Sequence, residues 1–493
     1  MPPFPSASRD LVFSNLPSSD IVAAVVQRIR SAIGLGLVAG GDKLPKEAEL
    51  ARQFGISAFA LREALTTLRE EGAIETRAGK FGGSFVTESL VTESLAHDEL
   101  CRLTFSELRD LGDWRRMLSA QAADLAARRA SPSNLERLSG YAHQVSEAQT
   151  AEQARRAHGR FYLELAAAGQ SMRLSQAGFA MHDQLDWLFG LVLDDEPKRA
   201  LRSAELSEIV HCVGTQNSDY ARVLASTHIL TMVDELARLR LELIASRDRQ
   251  SGARVKAVSG ESFAAEVELF VGSLASEIGA LAVKTAPLLG ATLSAREIRT
   301  GVSLLVLPAF DRIPIFSLGL GVMAEVGVVP EHPYWINWWE TTPSGPVENT
   351  HHILDPEDEN FYDYEAREFI AQPRQRLADW ATGPYVDYGG NNDYIVTFSS
   401  PILFEDRFLG VVTVDLLVAD LERHFSSFLA GLDSSCVVVN AENRVVMSNS
   451  VSFDVGDVVR PASSDDVFSI GVFGWSLVLK NTRVSTETAN ILA

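Results

Sequence analysis

A multidomain protein, with a helix-turn-helix and hairpin at its amino end, an all-α bundle in the middle and an α+β unit at the carboxyl end, is predicted from three observations. Residues 33 to 86 run from Ile33 through Lys43-Leu44-Pro45 and Phe54-Gly55-Ile56-Ser57 to Gly79-Lys80-Phe81-Gly82-Gly83, the order helix, turn, helix, glycine-rich hairpin. Between about residues 103 and 245 strand signals are almost absent. Beyond a Ser-, Arg-, Lys- and Gly-rich stretch from Ala245 to Gly260, helical and strand-like runs alternate. At 493 residues the chain exceeds what one hydrophobic core organises, and about three domains are expected.

The first unit opens with Val22, Val25, Ile29 and Ile33, which paint one apolar stripe on a helix. Pro45 starts a short second helix whose Leu50, Ala51 and Phe54 face inward, and Gly55 supplies the left-handed turn that ends it. Ser57 is placed to cap a third helix, with Ile56 and Leu61 as a hydrophobic staple around it. Leu61, Leu65 and Leu68 then point to the core, which leaves Phe59, Arg62, Thr66 and Arg69 facing out. Ile74 to Arg77 and Ser84 to Val86 read as two strands joined by a turn whose glycines let backbone amides approach phosphates. This layout docks on duplex DNA.

The phrases Gly41-Asp42-Lys43-Leu44-Pro45, Glu49-Leu50-Ala51, Ile56-Ser57, Leu61-Arg62-Glu63-Ala64-Leu65 and Glu71-Gly72 resemble the signature of the GntR family of bacterial winged helix-turn-helix regulators. The resemblance implies that Ser57, Ala60, Arg62, Gly79 and Lys80 stand where family members meet DNA; Thr66 on the outer face and Arg77 in the wing complete the expected interface. For Arg62 the competing reading is an ion pair with Glu63 or Asp42, and wing charges such as Arg77 and Lys80 more often touch phosphate than bases. Ala48 and Ala58 occupy two positions where relatives often carry a base-reading arginine, and alanine offers no bidentate donor to guanine.

The net charge of −21 argues against a nonspecific nucleic-acid coat protein, while leaving room for a small DNA-reading module joined to acidic sensory units. Cys101, Cys212 and Cys436 are widely spaced, so neither a disulfide framework nor a zinc cluster is indicated. No cleavable leader and no membrane span is expected, and a reducing, cytoplasmic setting fits.

A doubled Val-Thr-Glu-Ser-Leu in the stretch to Leu95 bridges to the middle region, where Leu108, Leu111, Trp114, Leu118, Ala122 and Leu125 recur at helical intervals and predict an antiparallel bundle. Asp113-Trp114-Arg115-Arg116-Met117-Leu118 and Leu125-Ala126-Ala127-Arg128-Arg129-Ala130 resemble the FCD effector domain of one GntR subfamily. In that family an Asp and three His often hold a divalent metal, zinc or nickel by donor type. The resemblance places His158 on the acidic position, Tyr162 and Leu206 on two histidine positions and His228 on the last; leucine cannot coordinate, and His211 lies more than a helical turn from Leu206. No cofactor is expected; a divalent metal at His158 and His228 is the less favoured reading beside a hydrogen-bonded structural pair.

In the last unit Phe263, Val267, Phe270, Leu274 and Ile278 predict a long helix. Strands are predicted at Ile315 to Met323, Tyr394 to Phe404 and Phe408 to Leu416, the last two joined by a hairpin turn, Glu405-Asp406-Arg407. A helix from Val418 to Leu429, strands from Ser435 to Asn440 and Arg444 to Ser448, and a last strand from Trp475 to Leu479 follow. Gly383-Pro384-Tyr385-Val386-Asp387-Tyr388, Pro401-Ile402 and Gly410-Val411-Val412-Thr413-Val414-Asp415 resemble Cache domains, PAS-like modules that bind small metabolites; one module, or one plus a fragment, fits the length.

Aromatic faces and carboxylates crowd together between Tyr334 and Asp415, a combination that attracts organic cations. The candidate ligand residues are Trp335, Trp338, Tyr364, Arg367, Tyr385, Asp387 and Asp415. Asp415 is the sharpest, because it ends the apolar run Leu409 to Val414, where a buried carboxylate needs a partner such as a ligand ammonium. Arg367 would clamp a carboxylate if the ligand is an amino acid. Alternation along Tyr334 to Trp339 sends its three tryptophans to both faces of a strand, and His351-His352 reads as an exposed loop.

The expected whole is a winged helix-turn-helix at 19–88, an FCD-like bundle at 96–245 and a Cache-like sensor at 260–482. It reads as a dimeric, ligand-responsive repressor whose partners are double-stranded operator DNA, a small-molecule effector and a second copy, with no membrane. Two other classes compete. A metal-dependent enzyme would use the bundle histidines, although no HExxH, nucleophile elbow, P-loop or dinucleotide fingerprint is found. A sensory protein that has lost DNA binding gains from Ala48 and Ala58.

Overall fold

The computed structural model describes residues 21–34, 41–77, 79, 82–87, 93–250, 258–313, 315, 317–342, 345–349, 352–387, 393–432, 434–450 and 453–480. The chain divides into two compact units, one built from Asn15–Leu103 and Glu107–Leu243, the other chiefly from Ile244–Ala493.

The first unit begins with α1 (Ile21–Gly34), α2 (Glu47–Phe54) and α3 (Ala58–Glu70), followed by a hairpin of β1 (Ile74–Arg77) and β2 (Gly83–Val86). Val25, Val26, Ile29 and Ile33 pack with Leu50, Ala51, Leu61, Ala64, Leu65 and Leu68 into one small core, as the periodicity predicts, with Val22 and Phe54 at its edge. The second helix starts at Glu47, after an extended Lys46, two residues beyond the expected Pro45. Gly55 ends it in the left-handed region at φ 69°. Ser57 caps α3 by accepting the Ala60 amide at 3.1 Å. In the wing Ile74 pairs with Val86 and Arg77 with Gly83.

The remainder of this unit is helical among the described residues: α4 (Glu93–Arg102), α5 (Phe105–Arg129), α6 (Pro132–Glu147), α7 (Ala151–Ala168), α8 (Met172–Gln184), a 3-10 turn at Asp186–Val192, α9 (Glu196–Gly214) and α10 (Ser218–Gln250). Ser131, Thr150, Ser171 and Asp195 each accept a backbone amide at the start of a helix, so short polar caps punctuate the bundle. Its centre is unusually polar. Arg115 and Asp186 form a two-pronged ion pair, 2.8 and 2.6 Å, with side chains only 3% and 1% exposed.

The second unit is laid on α11 (Gly260–Gly290), whose 31 residues reach about 46 Å at 1.5 Å per residue. That length lets one helix back two sheets. A six-stranded antiparallel sheet has the order β5-β4-β3-β8-β7-β6, built from β3 (Gly319–Ala324), β4 (Ile336–Thr342), β5 (Gly345–Asn349), β6 (Trp380–Val386), β7 (Tyr394–Phe404) and β8 (Arg407–Leu417). A smaller sheet has the order β10-β9-β12-β11, from β9 (Cys436–Val439), β10 (Val445–Ser448), β11 (Asp466–Ile470) and β12 (Trp475–Leu479). The second unit therefore carries two antiparallel sheets, one of six strands and one of four.

Alternation sorts the large sheet into two faces. Leu320, Val322, Val412, Val414, Leu416, Val396 and Phe398 join Phe263, Val267, Leu274 and Ile278 of α11 in the main core. Met323, Ile336, Trp338 and Val411 face the other way, under a cover that includes Tyr364 and Phe369. Helices α12 (Ala295–Val306) and α13 (Glu368–Arg376), and strands β5, β6 and β11, were not anticipated as elements, and β4 overlaps the alternating stretch Tyr334 to Trp339. The predicted helix from Val418 is broken in two, α14 (Val418–His424) and α15 (Ser426–Gly431), at the fully buried Phe425.

Candidate functional site

The covered face of the large sheet carries one polar row across five strands. Glu340 of β4 lies opposite Gly319 of β3, Gly319 opposite Asp415 of β8, Asp415 opposite Thr397 of β7, and Thr397 opposite Thr382 of β6. One step along, Trp338 lies opposite Gly321, and Gly321 opposite Thr413. The two glycines are required by Trp338: a Cβ on Gly319 would stand 2.5 Å from its ring, and one on Gly321 2.7 Å from it and 2.4 Å from the Asn337 carbonyl oxygen. The indole thus lies across β3 and floors a cavity.

That cavity, of about 20 Å³, is lined by Met323, Trp338, Glu340, His352, Tyr362, Phe369, Tyr385, Asp387, Thr397, Thr413 and Asp415. Such a volume holds one or two water-sized groups, enough for the head of a ligand. Thr397 donates to Asp415 at 2.6 Å, and its oxygen lies 2.8 Å from the Tyr385 hydroxyl. The Thr413 hydroxyl is buried without a hydrogen-bond partner. Burial pushes the Asp415 carboxyl up to about 8; Asp387 and Glu340 add to the rise, while the Thr397 hydrogen bond opposes it. Burial likewise raises the Tyr385 and Tyr362 hydroxyls, both with help from Asp387 and Asp415. Among the described residues no lysine or arginine forms an ion pair with Asp415. The site thus sets the Asp415 carboxyl among ring faces and hydroxyls, with Glu340 and Asp387 in the same lining.

Of the seven expected ligand residues, Trp338, Tyr385, Asp387 and Asp415 come together here. Trp335 does not: alternation sends it, with Trp339, to the main core, where Arg299 stacks 5.9 Å above its ring. Tyr364 is spent on structure, its buried hydroxyl accepting from the Trp335 amide and donating to the Ala324 carbonyl, both at 2.9 Å. Arg367 is exposed at the start of α13, 6.0 Å over the Tyr362 ring. It borders a neighbouring open recess of about 600 Å³, shared with Glu368, Thr382, Glu442 and Arg444, whose wall includes Phe369 and Tyr385. His351 lies outside the described residues, and the exposed loop expected for His352 is corrected: it lines the cavity, its ring 5.0 Å from that of Tyr362. Met323, Glu340, Phe369, Thr397 and Thr413 were missed, while Tyr362 belongs to the aromatic cluster expected between Tyr334 and Asp415. Thr413 was within reach of sequence reasoning, since it lies two residues from Asp415 on the same face.

The outer face of α3 carries Phe59, Arg62, Glu63 and Thr66, all exposed. Arg62 is paired with neither Glu63 nor Asp42 but with Glu47 of α2, at 3.2 Å, and both side chains are at least half exposed. So exposed a pair contributes about 1 kcal/mol or less and can be exchanged for another partner. The Thr66 hydroxyl donates to the Arg62 carbonyl at 2.8 Å, and Ala60 is half-buried behind the Ser57 cap. In the wing Arg77 stacks 4.3 Å over Phe85 and binds Glu75 at 2.7 Å, while Gly79 takes φ 108° at the tip. Lys80 lies outside the described residues.

In the bundle His158 and His228 meet, Nε2 to Nε2, at 2.9 Å. Glu205 holds the other His228 nitrogen at 2.7 Å. Burial lowers both imidazoles, with His158 well below its ordinary range. Leu206 is fully buried at the third position, Tyr162 presents a buried phenol, and His211 is exposed away from the pair. Among the described residues no group of three or more His, Cys, Asp or Glu is placed to hold a metal ion, so two imidazoles already engaged with each other do not fit a divalent ion's donor set.

Three family descriptions match: "Bacterial regulatory proteins, gntR family" over residues 21–86, "FCD domain" over 110–231, and "Methyl-accepting chemotaxis protein-like, first PDC sensor domain" over 346–423. The chain is 34% identical over 252 residues to a provisionally named HTH-type transcriptional regulator, RmpR, of Mycobacterium gastri, an alignment covering 50% of this chain and 91% of that one. It is 36% identical over 112 residues to the Glc operon transcriptional activator of Escherichia coli (strain K12), covering 22% of this chain and 42% of that one. With the HTH-type transcriptional regulator LutR of Bacillus subtilis (strain 168) it shares 29% over 135 residues, 27% of this chain and 60% of that one. The latter two are thus matched over less than two thirds of their length. Among solved structures, "Methyl-accepting Chemotaxis protein X" superposes with a TM-score of 0.33 at 14% identity, over 50% of this chain and 97% of that one.

Proposed function

The chain belongs to the GntR family of bacterial regulatory proteins, and from that premise we propose what it answers to: a small organic cation, an amine or amino acid, whose ammonium enters the cavity at Asp415. It is a ligand-responsive DNA-binding transcriptional regulator. One observation carries the ligand class: the part-buried carboxyl of Asp415, in one cavity with Asp387 and Glu340, walled by Trp338, Tyr362 and Tyr385, with no ion-pair partner among the described residues. A cation there replaces lost hydration with charge pairing and ring faces, whereas a neutral group gains no charge pairing and an anionic one would meet repulsion. The body of the ligand would extend to the recess beside Arg367, which gives an amino acid's carboxylate a partner that a simple amine does not need.

On the DNA side we assign Ser57, Ala60, Arg62, Thr66, Arg77, Gly79 and Lys80 to the operator interface, with α3 in the major groove and the wing on the backbone. The module limits are placed at 19–88, 96–245 and 260–482, which enclose the matched spans 21–86, 110–231 and 346–423. A homodimer is proposed because paired recognition helices read two half-sites. Repression is proposed because it requires only that the bound protein occupy the promoter. The setting is proposed to be cytoplasmic; no helix among the described residues is long and apolar enough to cross a membrane.

The test is a melting-temperature screen of the full chain against amines, amino acids and their uncharged alcohol or amide counterparts, repeated with Asp415→Ala. Selective binding raises folded-state stability. The reading requires stabilisation by cations alone and its loss in the variant; stabilisation by neutral counterparts, or a normal response from Asp415→Ala, overturns it.

A further inference from the structure

The first turn of α3 presents an unusual surface. Ala58, Phe59 and Ala60 open the helix, and none of the three side chains carries a hydrogen-bond donor or acceptor. Ser57 before them commits its oxygen to the Ala60 amide, and Arg62, a turn further on, is the first outward residue with donors. Phe59 is 76% exposed. It follows a cap that fixes the helix start, so the ring projects from a rigid platform.

A helix entering the major groove reads bases chiefly with the residues at its amino end. Hydrogen-bonding side chains there distinguish guanine, adenine and cytosine edges; an apolar surface has one partner of its own kind in that groove, the C5 methyl of thymine. Here the amino end of the reading helix, Ala58, Phe59 and Ala60, is entirely apolar. We propose that Phe59 is a specificity-determining residue that reads thymine through its methyl group, with Ala58 and Ala60 as the small neighbours that let the ring seat against it. The inference rests on the DNA-reading assignment of α3 and deepens it: each operator half-site carries thymine under the start of this helix, recognised by apolar contact.

The full chain is first used to select bound duplexes from a random library. The winning duplex is then compared with copies in which single thymines are replaced by uracil, which removes the methyl and leaves every hydrogen-bonding edge intact. The wild-type chain should lose roughly fourfold in affinity for each contacted methyl removed. Phe59→Ala should bind thymine and uracil duplexes alike, with an unchanged dependence on salt, because no phosphate contact is lost. The side chain is exposed, so the variant should melt with the wild type. Indifference of the wild-type chain to every uracil copy, or a Phe59→Ala variant that keeps the full methyl sensitivity, overturns the proposal while leaving DNA binding in place. Failure to enrich any duplex instead removes the DNA-reading assignment itself.

Discussion

Thr397 donates a 2.6 Å hydrogen bond to Asp415, and the two stand directly opposite each other on adjacent strands. With its hydrogen used there, Thr397 accepts from the Tyr385 hydroxyl at 2.8 Å, so a short chain of hydroxyls ends on the buried carboxyl. The hydrogen bond steadies one Asp415 oxygen and opposes, without overcoming, the burial that favours the protonated carboxyl. That balance sets where the carboxyl titrates and, on the proposed function, how a cation competes with its proton.

The carboxyl of Asp415 is raised from 3.8 to about 8. Between those values the folded chain holds a proton that the unfolded chain has released, so this group's stabilising contribution is complete below about pH 4 and is lost as pH rises through 8. The melting temperature of the sensor transition should therefore fall from pH 5 to pH 8 more steeply in the wild type than in Asp415→Asn. Parallel profiles would show that the group is not titrating in this window. An ammonium ligand works against the proton, so its affinity should climb with pH up to about 8, by at most about tenfold per unit, with proton release on binding seen by calorimetry in buffers of different ionisation enthalpy.

Gly319→Ala places a methyl 2.5 Å from the Trp338 ring. Overpacking of this kind costs about 1 to 3 kcal/mol, and here it also lifts the cavity floor. Cation binding should be lost or weakened beyond what the drop in stability explains. Titration of the folded variant well below its melting temperature checks this, and unaltered affinity would place the ligand elsewhere.

Arg62→Ala and Arg77→Ala should fail in different ways. Loss of Arg62 should erode discrimination between selected and scrambled duplex by about 1 to 3 kcal/mol, the range for a base-reading side chain. Loss of Arg77, a wing cation stacked on Phe85, should weaken all duplexes alike and lower the salt dependence by about one counterion. Affinities measured across a salt series separate the two.

Removal of divalent metal should leave the helical bundle unchanged. His158 and His228 bond to each other at 2.9 Å, with Glu205 behind, so chelation followed by dialysis should not shift its melting temperature. His158→Phe should reduce the bundle's unfolding free energy by about 1 to 3 kcal/mol, because His228 then faces a partner that cannot hydrogen-bond. Stoichiometric metal in elemental analysis would contradict this.

Much of the architecture was legible because apolar periodicity and turn chemistry are local. Leu61, Leu65 and Leu68 announced the inward face of α3, Gly55 and Ser57 its start, and the β7–β8 hairpin followed from strand runs around Glu405-Asp406, whose φ values of 50° and 61° close a tight turn. Asp415 stood out as a carboxylate ending an apolar strand. Its partner did not. Counting outward from the Phe404–Arg407 pair sets Val396 opposite Asp415; a bulge between Ile402 and Leu403 advances the register by one and brings Thr397 there. Glu340 was hidden for a related reason, since it reaches the site only through the β4–β3–β8 order, a long-range pairing that no local pattern encodes. Tyr364 misled because its composition suits a pocket, while its hydroxyl joins Ala324 to Trp335.

The most direct test is the affinity of the full chain for its selected duplex, measured by titration with and without a saturating cation identified in the screen, for the wild type and for Asp415→Asn. Coupling between the Asp415 cavity and α3 predicts a shift in DNA affinity on adding the cation to the wild type, and none in the variant. Identical DNA affinities in the wild type with the cation bound and absent would contradict it.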